Sequence, residues 1–493
     1  MKLSELLEAY PYSEKFRYSD IEIKDICYDS RKCKPGSMFI AVRGAVTDGH
    51  NYIQSAVDKG SRAVLVEEYP ANIEDFSDIV FIKTDNCRLA LADLSHKFYN
   101  YPSRDVKMIA VTGTNGKTTI TYILKSLLED AGIKTGIIGT TGIFAGDEKI
   151  PATHTTPESL ELCQHLVLIR EKKVEAIVME VSSHALHQHR VRGVEFNAGV
   201  FTNLTHEHLD YHKTLDEYAA AKKILFDMLP EDSVAVVNSD AEYAEYMLKD
   251  CKSAKQIRVG RSEKSDICIR DEKLNINSSE FSLSENGYIS DYSTKLIGRF
   301  NIDNASQSLA LCAFVTGRDI EDLKDSTAKA KGAPGRMQRT NLKNGSIGIV
   351  DYAHTPDALE KALTACRDIL ETSGHADSNL YCVFGCGGDR DTAKRPIMGE
   401  LSGRIADFSL ITDDNPRTED PGRIIEQIYN GVGRKEKSKI VMISDRREAI
   451  GSAVKLAGEN DIILIAGKGH EDYQIIGTEK THFDDREELE KFS

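Results

Sequence analysis

A three-domain α/β protein, with two domains built on mostly parallel sheets, is the fold class this sequence predicts. Three observations predict it. The 493 residues exceed the size at which one hydrophobic core stops growing, so two to four domains are expected. Short apolar runs of strand length alternate with stretches of helical period, the pattern of sheets with helices on their faces. That alternation changes character near Asp105 and again near Gly335, which divides the chain into residues 1–105, 106–335 and 336–493.

The first segment carries short β-rich runs at 21–27, 37–42 and 63–66, the last after a helix-like stretch, and reads as a small α/β substrate-binding domain. Residues 1–16 read as a short amphipathic helix. The second segment opens on a buried-strand run at 106–111, a Gly-rich turn and a helical pattern over 118–131. Further strands are predicted at 176–181, 198–201 and 233–237, which with the Gly-rich turn gives a central P-loop doubly wound domain. The third segment has strand runs at 347–350, 380–384, 408–411, 440–443 and 462–465, each followed within two residues by Gly or Asp. Open α/β sheets bind ligands beyond the carboxyl ends of their strands, so a C-terminal Rossmann-like domain with a ligand crevice is expected.

Composition supports a globular chain: 40% of residues are hydrophobic and 29% charged. A net charge of -15 argues against a nucleic-acid or anionic-membrane surface as the main partner. No window has the apolar length of a membrane span, and Glu5, Glu8 and Glu14 stand where a signal peptide would be basic, so a cytoplasmic protein is expected. The ten cysteines, scattered from Cys27 to Cys386, read as reduced core thiols with no disulfide needed for folding.

Gly113-Thr114-Asn115-Gly116-Lys117-Thr118 supplies glycines that let backbone N–H groups approach phosphate oxygens, a lysine to neutralise them and a hydroxyl for Mg2+. It departs from the full phosphate-loop pattern, because Val111 stands where the leading glycine would be. Such a loop leaves kinases, nucleotide switches, motor ATPases and ligases all open. Glu180 closes a predicted strand and reads as a second Mg2+ ligand. His208, after the strand at 198–201, reads as a ligand to a second Mg2+ or to substrate phosphate. Eight histidines lie between His154 and His212, but without zinc spacing. For His165 and His187 a bond to loop backbone is the expected role. Lys222, on a helix-like stretch, reads from sequence as a solvated lysine.

Taken together, Thr112 to Thr119, Glu180 to His189, Asn203 to His212, Asn301 to Ala305, Ala333 to Met337 and Asp351 to Pro356 resemble the Mur ligase family, in that family's order. The resemblance runs from Tyr28-Asp29-Ser30-Arg31 to Gly467-Lys468-Gly469-His470-Glu471, essentially the whole chain. It implies domains that bind, in turn, a UDP-sugar, ATP and an incoming amino acid. ATP would be bound by residues 113–119, Thr119 included, with Asn304 on the adenine and Arg336 and Asp351 closing on the nucleotide. Thr118 and Glu180 would hold one Mg2+, and His208 would help to hold a second. Lys222 aligns with the family's carbamylated, metal-bridging lysine.

On the substrate side the resemblance implies Tyr28, Ser30, Ala45, Val46, Thr47, Thr155, Thr156, Ser182, Gln188 and Arg190 for UDP-MurNAc-L-Ala-D-Glu. His154 stands where relatives often have Asn. The implied activity is amide formation through an acyl phosphate, by a monomer. The amino acid rests on Asp414-Asn415-Pro416-Arg417, at the carboxyl edge of the third sheet, where a guanidinium fork suits the distal carboxylate of meso-diaminopimelate. A bland role for Arg417 is an ion pair with Glu419 or Asp420 on a solvated loop. Arg390 would bind a carboxylate of the amino acid, and Gly467 and Glu471 its distant amino end. An L-lysine-adding enzyme, a folylpolyglutamate synthetase-like ligase and a nucleotide switch are the alternatives.

Overall fold

Four-residue apolar runs, buried on both faces, make the N-terminal sheet of the computed structural model, which describes all residues except 45, 46, 147, 152, 153 and 206. Its strands are β1 (Glu14–Phe16), β2 (Asp25–Cys27), β3 (Ser37–Ile40), β4 (Ala63–Val66) and β5 (Val80–Lys83), in the order β1-β5-β4-β3-β2. Only β1 runs antiparallel. The helix expected over 1–16 is real only as Leu3–Leu6 and a 3-10 turn to Ala9, where Leu3, Leu6 and Leu7 are buried. Pro11 then bars helix, and residues 14–16 join the sheet edge instead. The strand expected from residue 21 begins only at Asp25, because Glu22 bridges to Lys2 and Ile23 N–H to Met1 O.

One cysteine expectation is corrected. Cys27 and Cys33 are paired as a disulfide, with Cα atoms 5.8 Å apart. The turn after β2 folds back through the 3-10 helix Ser30–Lys32 and brings them together. The other eight cysteines are free thiols, seven of them buried.

The phosphate loop follows β6 (Lys107–Thr112). After it come β7 (Thr135–Gly139), β8 (Gly142–Ala145), β9 (Glu148–Ile150), β10 (Ala176–Glu180), β11 (Ala198–Phe201) and β12 (Val234–Asn238). The order β12-β11-β6-β10-β7 is parallel throughout, and β8 and β9 extend it antiparallel. Neighbours β10 and β11 leave β6 in opposite directions along the sheet, so its carboxyl end is a switch point where a ligand crevice forms. By density of contacts the chain divides into two units, Met1–Thr121 with Leu128–Arg258, and Tyr122–Leu127 with Val259–Ser493. The strand β13 (Lys255–Gly260) passes from one to the other.

In the second unit, β14 (Ile267–Leu274), β15 (Ser279–Glu285) and β16 (Tyr288–Thr294) form an antiparallel meander that the strand pattern did not reveal. Its strands are half-buried, with Phe281 and Leu283 inside and Tyr288 and Ile289 exposed, so no continuous apolar run marks them. The C-terminal sheet holds β17 (Gln338–Asn341), β18 (Ile347–Asp351), β19 (Leu380–Phe384), β20 (Phe408–Ile411), β21 (Ile440–Met442) and β22 (Ile462–Ala466). Its order is β17-β18-β22-β19-β20-β21, parallel except for β17. A final hairpin, β23 (Tyr473–Ile476) and β24 (Glu479–His482), turns at Gly477.

Candidate active site

Two clusters of polar residues lie at strand ends, one in each unit. In the first, Gly113 has φ 146°, and a Cβ there would overlap Thr202 Oγ1, which donates to Asn115 O over 2.6 Å. The loop is also held by Thr114 N–H to Asn203 O (2.8 Å) and Asn115 N–H to Asn203 Oδ1 (3.0 Å). Gly113→Ala should therefore weaken ATP binding more than tenfold while leaving the β17–β22 core folded, which nucleotide titration with a thermal melt checks. Wild-type affinity would refute it. Lys117 Nζ donates to Gly113 O and Thr114 O, both at 2.8 Å, so the ammonium lies curled over the loop.

Glu180, buried at the end of β10, accepts from Thr118 Oγ1 (3.0 Å), Thr140 Oγ1 (3.1 Å) and Thr140 N–H (3.0 Å). Gly139 has no side chain to crowd that carboxylate. This donor set fits Mg2+: a hydroxyl and a carboxylate, both hard oxygens, converge at a phosphate loop. Among the described residues no three His, Cys, Asp or Glu side chains form a metal cage, so the remaining ligands would be nucleotide phosphate and water, as Mg2+ favours.

Lys222 overturns its sequence reading. It is 1% exposed, its Nζ donates to Gly113 O over 2.9 Å and lies 4.3 Å from the Tyr218 ring centre. Burial, followed by the nearby Lys117 charge, pulls its pKa well below that of an ordinary lysine. Tyr218 and Thr114 bond each other at 3.3 Å, so helix Leu215–Asp227 is fastened to the loop. His208, at φ 57°, packs edge-on against His184 at 4.8 Å. His187 is corrected: its Nδ1 bonds the Tyr211 hydroxyl (2.9 Å), a ring partner from a neighbouring helix in place of loop backbone. His165 is half-buried in helix Ser159–Glu171, and desolvation there lowers its pKa.

The residues assigned to the UDP-sugar precursor gather in part. Thr156 Oγ1 donates to Glu180 O (2.9 Å) and accepts Ser182 N–H (3.0 Å). Arg190 donates to Thr156 O (3.1 Å) and Gln188 Oε1 (2.7 Å), and pairs with Glu158 at 3.0 Å. Thr155 and Thr140 hydroxyls meet at 3.1 Å. Tyr28 donates to Glu161 (2.9 Å), and burial, followed by the Glu161 charge, drives its pKa up. Ser30 is buried, whereas Thr47 is bonded to the Tyr52 hydroxyl at the surface and His154 is exposed. Ala45 and Val46 lie outside the described residues.

In the second unit Asn304 is buried in helix Arg299–Thr316, its amide donating to Asn301 Oδ1 (3.0 Å). The Arg336 guanidinium lies over the Tyr352 ring at 4.6 Å, and its Nε is buried with no hydrogen-bond partner among the described residues. Asp351, at the end of β18, accepts Met337 N–H at 2.7 Å; burial raises its pKa against the pull of Arg336. Gly335 and Gly469 pack backbone to backbone.

Beyond β20 and β22 a tighter network forms. Lys468, fully buried, donates to Asn415 Oδ1 (3.1 Å) and Tyr473 O (2.8 Å) and pairs with Asp414 at 3.3 Å. Asn415 therefore turns its amide N–H to Glu471 Oε2 (3.1 Å). Pro416 is buried, and its carbonyl packs against Gly388. Arg417 forms no ion pair with Glu419 or Asp420. Its Nη1 donates to Gly388 O (2.8 Å) and Asn415 O (3.4 Å), while Asp420 caps helix Pro421–Gly431. Arg390 is exposed, with Nη1 on Asp389 O at 3.2 Å. Gly467, at φ 119°, leaves room for the Asp414 carboxylate.

Family models match three stretches: Mur ligase family, catalytic domain over residues 22–99, Mur ligase middle domain over 111–312, and Mur ligase, glutamate ligase domain over 335–469. A UDP-N-acetylmuramoyl-L-alanyl-D-glutamate--2,6-diaminopimelate ligase of Syntrophomonas wolfei is 42% identical over 492 residues, 99% of this chain and 98% of that protein. The chain belongs to the Mur ligase family. A protein of the same description from Clostridium tetani is 41% identical over 494 residues, covering 100% of this Mur ligase and 99% of the relative. A solved structure of such a diaminopimelate ligase superposes with a TM-score of 0.70 at 32% identity, over 100% of this chain and 98% of that one. Folylpolyglutamate synthase of Mycobacterium tuberculosis complexed with ADP shares the fold, with a TM-score of 0.61 at 18% identity over 78% of this chain and 92% of that one.

Three parts of this Mur ligase site escaped sequence reasoning. Thr140 doubles the hold on Glu180 from the turn after β7, a strand that was not anticipated. Lys468 lay within a motif already noticed, yet a buried lysine is not visible from neighbours in sequence. The pairing of Arg395 with Glu419 had no signal in spacing at all.

Proposed function

We propose that this Mur ligase joins meso-diaminopimelate to the D-Glu carboxylate of UDP-MurNAc-L-Ala-D-Glu, with ATP converted to ADP and phosphate. The observation that carries the reading is likeness along the full chain, at about 40% identity, to proteins described as that ligase. Residues 1–105 are assigned to the UDP-sugar, 106–335 to ATP and 336–493 to the amino acid. A cytosolic monomer suits the nucleotide-linked precursor it would use.

A carboxylate does not condense with an amine unaided. The substrate carboxylate oxygen attacks the γ-phosphorus of ATP, the bond to the ADP oxygen breaks, and an acyl phosphate results. The amine then attacks the acyl carbon, phosphate leaves, and the amine's extra proton passes to solvent. Two anions must meet in the first step, so a site that positions and neutralises is needed more than a general base.

Lys117 supplies a cation to the phosphates; Arg336, whose buried Nε has no hydrogen-bond partner among the described residues, is assigned to the nucleotide. Asn304 is assigned to the adenine and Asp351 to the nucleotide as well. Thr118 and Glu180 would hold Mg2+, with His208 and carbamylated Lys222 for a second ion; bound there, Mg2+ screens phosphate charge. Arg190, with Thr156, Ser182 and Gln188, is assigned to the UDP-MurNAc-dipeptide. Phosphate release should require both UDP-MurNAc-L-Ala-D-Glu and meso-diaminopimelate. ATPase activity indifferent to either would end the ligase reading, and preference for L-lysine would end the choice of amino acid.

A further inference from the structure

We propose that Arg395 and Glu419 are positioning residues for amino-acid selection, a clamp anchored on a buried guanidinium that locks the loop bearing Arg390 to the loop bearing Arg417. The inference rests on reading those two arginines as amino-acid contacts, and it adds residues that touch no substrate themselves.

Arg395 is the second residue of helix Lys394–Ile405 and is 0% exposed. Its Nη1 donates to Glu419 Oε2 (2.8 Å) and Gln427 Oε1 (2.7 Å), and its Nη2 to Glu419 Oε1 (2.9 Å) and Gly387 O (3.1 Å). The same Glu419 carboxylate accepts Asp389 N–H at 2.6 Å. One ion pair thus holds the loop after β19, at 387 and 389, to the loop after β20, at 419. Around it, Thr418 N–H and hydroxyl donate to Asp389, Gly388 N–H to Asn415 O, and Arg417 Nη1 to Gly388 O. The loops approach so closely that a Cβ on Gly388 would overlap Pro416 O.

Two features say that this joint does more than fill space. The Arg395 guanidinium is fully buried while the Glu419 side chain keeps 28% exposure, and burying a cation is an expensive way to hold a fold, because that charge must be desolvated. Arg417 also adopts φ 53°, a region a bulky side chain avoids unless its surroundings impose it. The clamp, together with Arg417 N–H to Ile475 O (3.1 Å), imposes it. Its consequence is that the Nη1 of Arg417 is committed to carbonyls, while Nε and Nη2 form no hydrogen bond among the described residues. A guanidinium held that way presents a fixed donor edge, and catalytic geometry loses about a hundredfold for a misplacement of about 1 Å.

The test uses the full chain with Glu419→Ala and the milder Glu419→Gln, which keeps an acceptor for Asp389 N–H. KM should rise for meso-diaminopimelate at least tenfold in Glu419→Ala and less in Glu419→Gln. KM for ATP and for UDP-MurNAc-L-Ala-D-Glu should stay within twofold. Without any substrate, amide hydrogen exchange at 387–391 and 415–419 should quicken at least tenfold in Glu419→Ala, and elsewhere remain as in wild type. Unchanged exchange in those loops overturns the clamp whatever the substrate. Quickened exchange with all three KM values rising together, or with none rising, overturns its role in selection. Wild-type protein that ignores meso-diaminopimelate would instead overturn the proposed function and leave the exchange result to judge the clamp alone.

Discussion

Lys222→Ala should lower kcat by about two to three orders of magnitude, the scale of losing one preorganised charge-stabilising group in a water-excluded site. The argument starts from position. Nζ is buried against Gly113 O, the carbonyl that also accepts from Lys117, so two lysines converge on one face of the phosphate loop. Two ammonium groups there would repel each other and any metal ion beside them. Burial favours the neutral amine, the form that can attack CO2; the new N–C bond gives a carbamate and releases a proton. A cation becomes an anion, and the repulsion becomes attraction. Lys222→Arg should fail to restore activity, because a guanidinium is not carbamylated at neutral pH. Removing bicarbonate should lower wild-type turnover, and adding it back should restore it. Normal turnover by Lys222→Ala, with no response to bicarbonate in wild type, would refute the modification.

The contrast between Lys117 and Lys222 shows what kind of information a sequence holds. Lys117 was legible because its chemistry lies in six consecutive residues between a strand and a helix, where spacing alone fixes geometry. Lys222 was misread as solvated because its partner, Gly113, is 109 residues away. Parallel strands such as β6, β10 and β22 were visible as unbroken apolar runs, being buried on both faces. The meander β14–β16 was hidden because one face is polar, and β17 because it is an edge strand of polar residues. Glu419 is the most instructive case. Local reasoning offered it to Arg417, two residues away, but the fold brings Arg395 from 24 residues upstream and gives the carboxylate two better-placed donors. Its pKa accordingly falls to about 2, through the Arg395 hydrogen bonds first and the Asp389 N–H second. Tertiary pairing and the Cys27–Cys33 link share that dependence on distant or folded-back chain.

Arg417→Ala should cut kcat/KM for meso-diaminopimelate by about two orders of magnitude or more, the cost of removing a charge-assisted bidentate partner from a desolvated pocket. Use of L-lysine should change far less. Meso-diaminopimelate differs from lysine by a carboxylate at the far end, and only that group needs a guanidinium fork. Geometry supports Arg417 for the role, since the sheet places it beyond β20 beside Asn415 and Glu471, and its own acidic neighbours do not neutralise it. Glu471, whose pKa burial raises with help from Asp414, is the acidic group assigned to the distal ammonium. Arg417→Lys should recover only a small part of the loss, because a point charge cannot replace two parallel donors or reach both Gly388 O and the ligand. A thermal melt separates recognition from collapse: the alanine variant should unfold within a few degrees of wild type while losing selectivity. An Arg417→Ala protein that still prefers meso-diaminopimelate to L-lysine by the wild-type margin would show that the distal carboxylate is bound elsewhere.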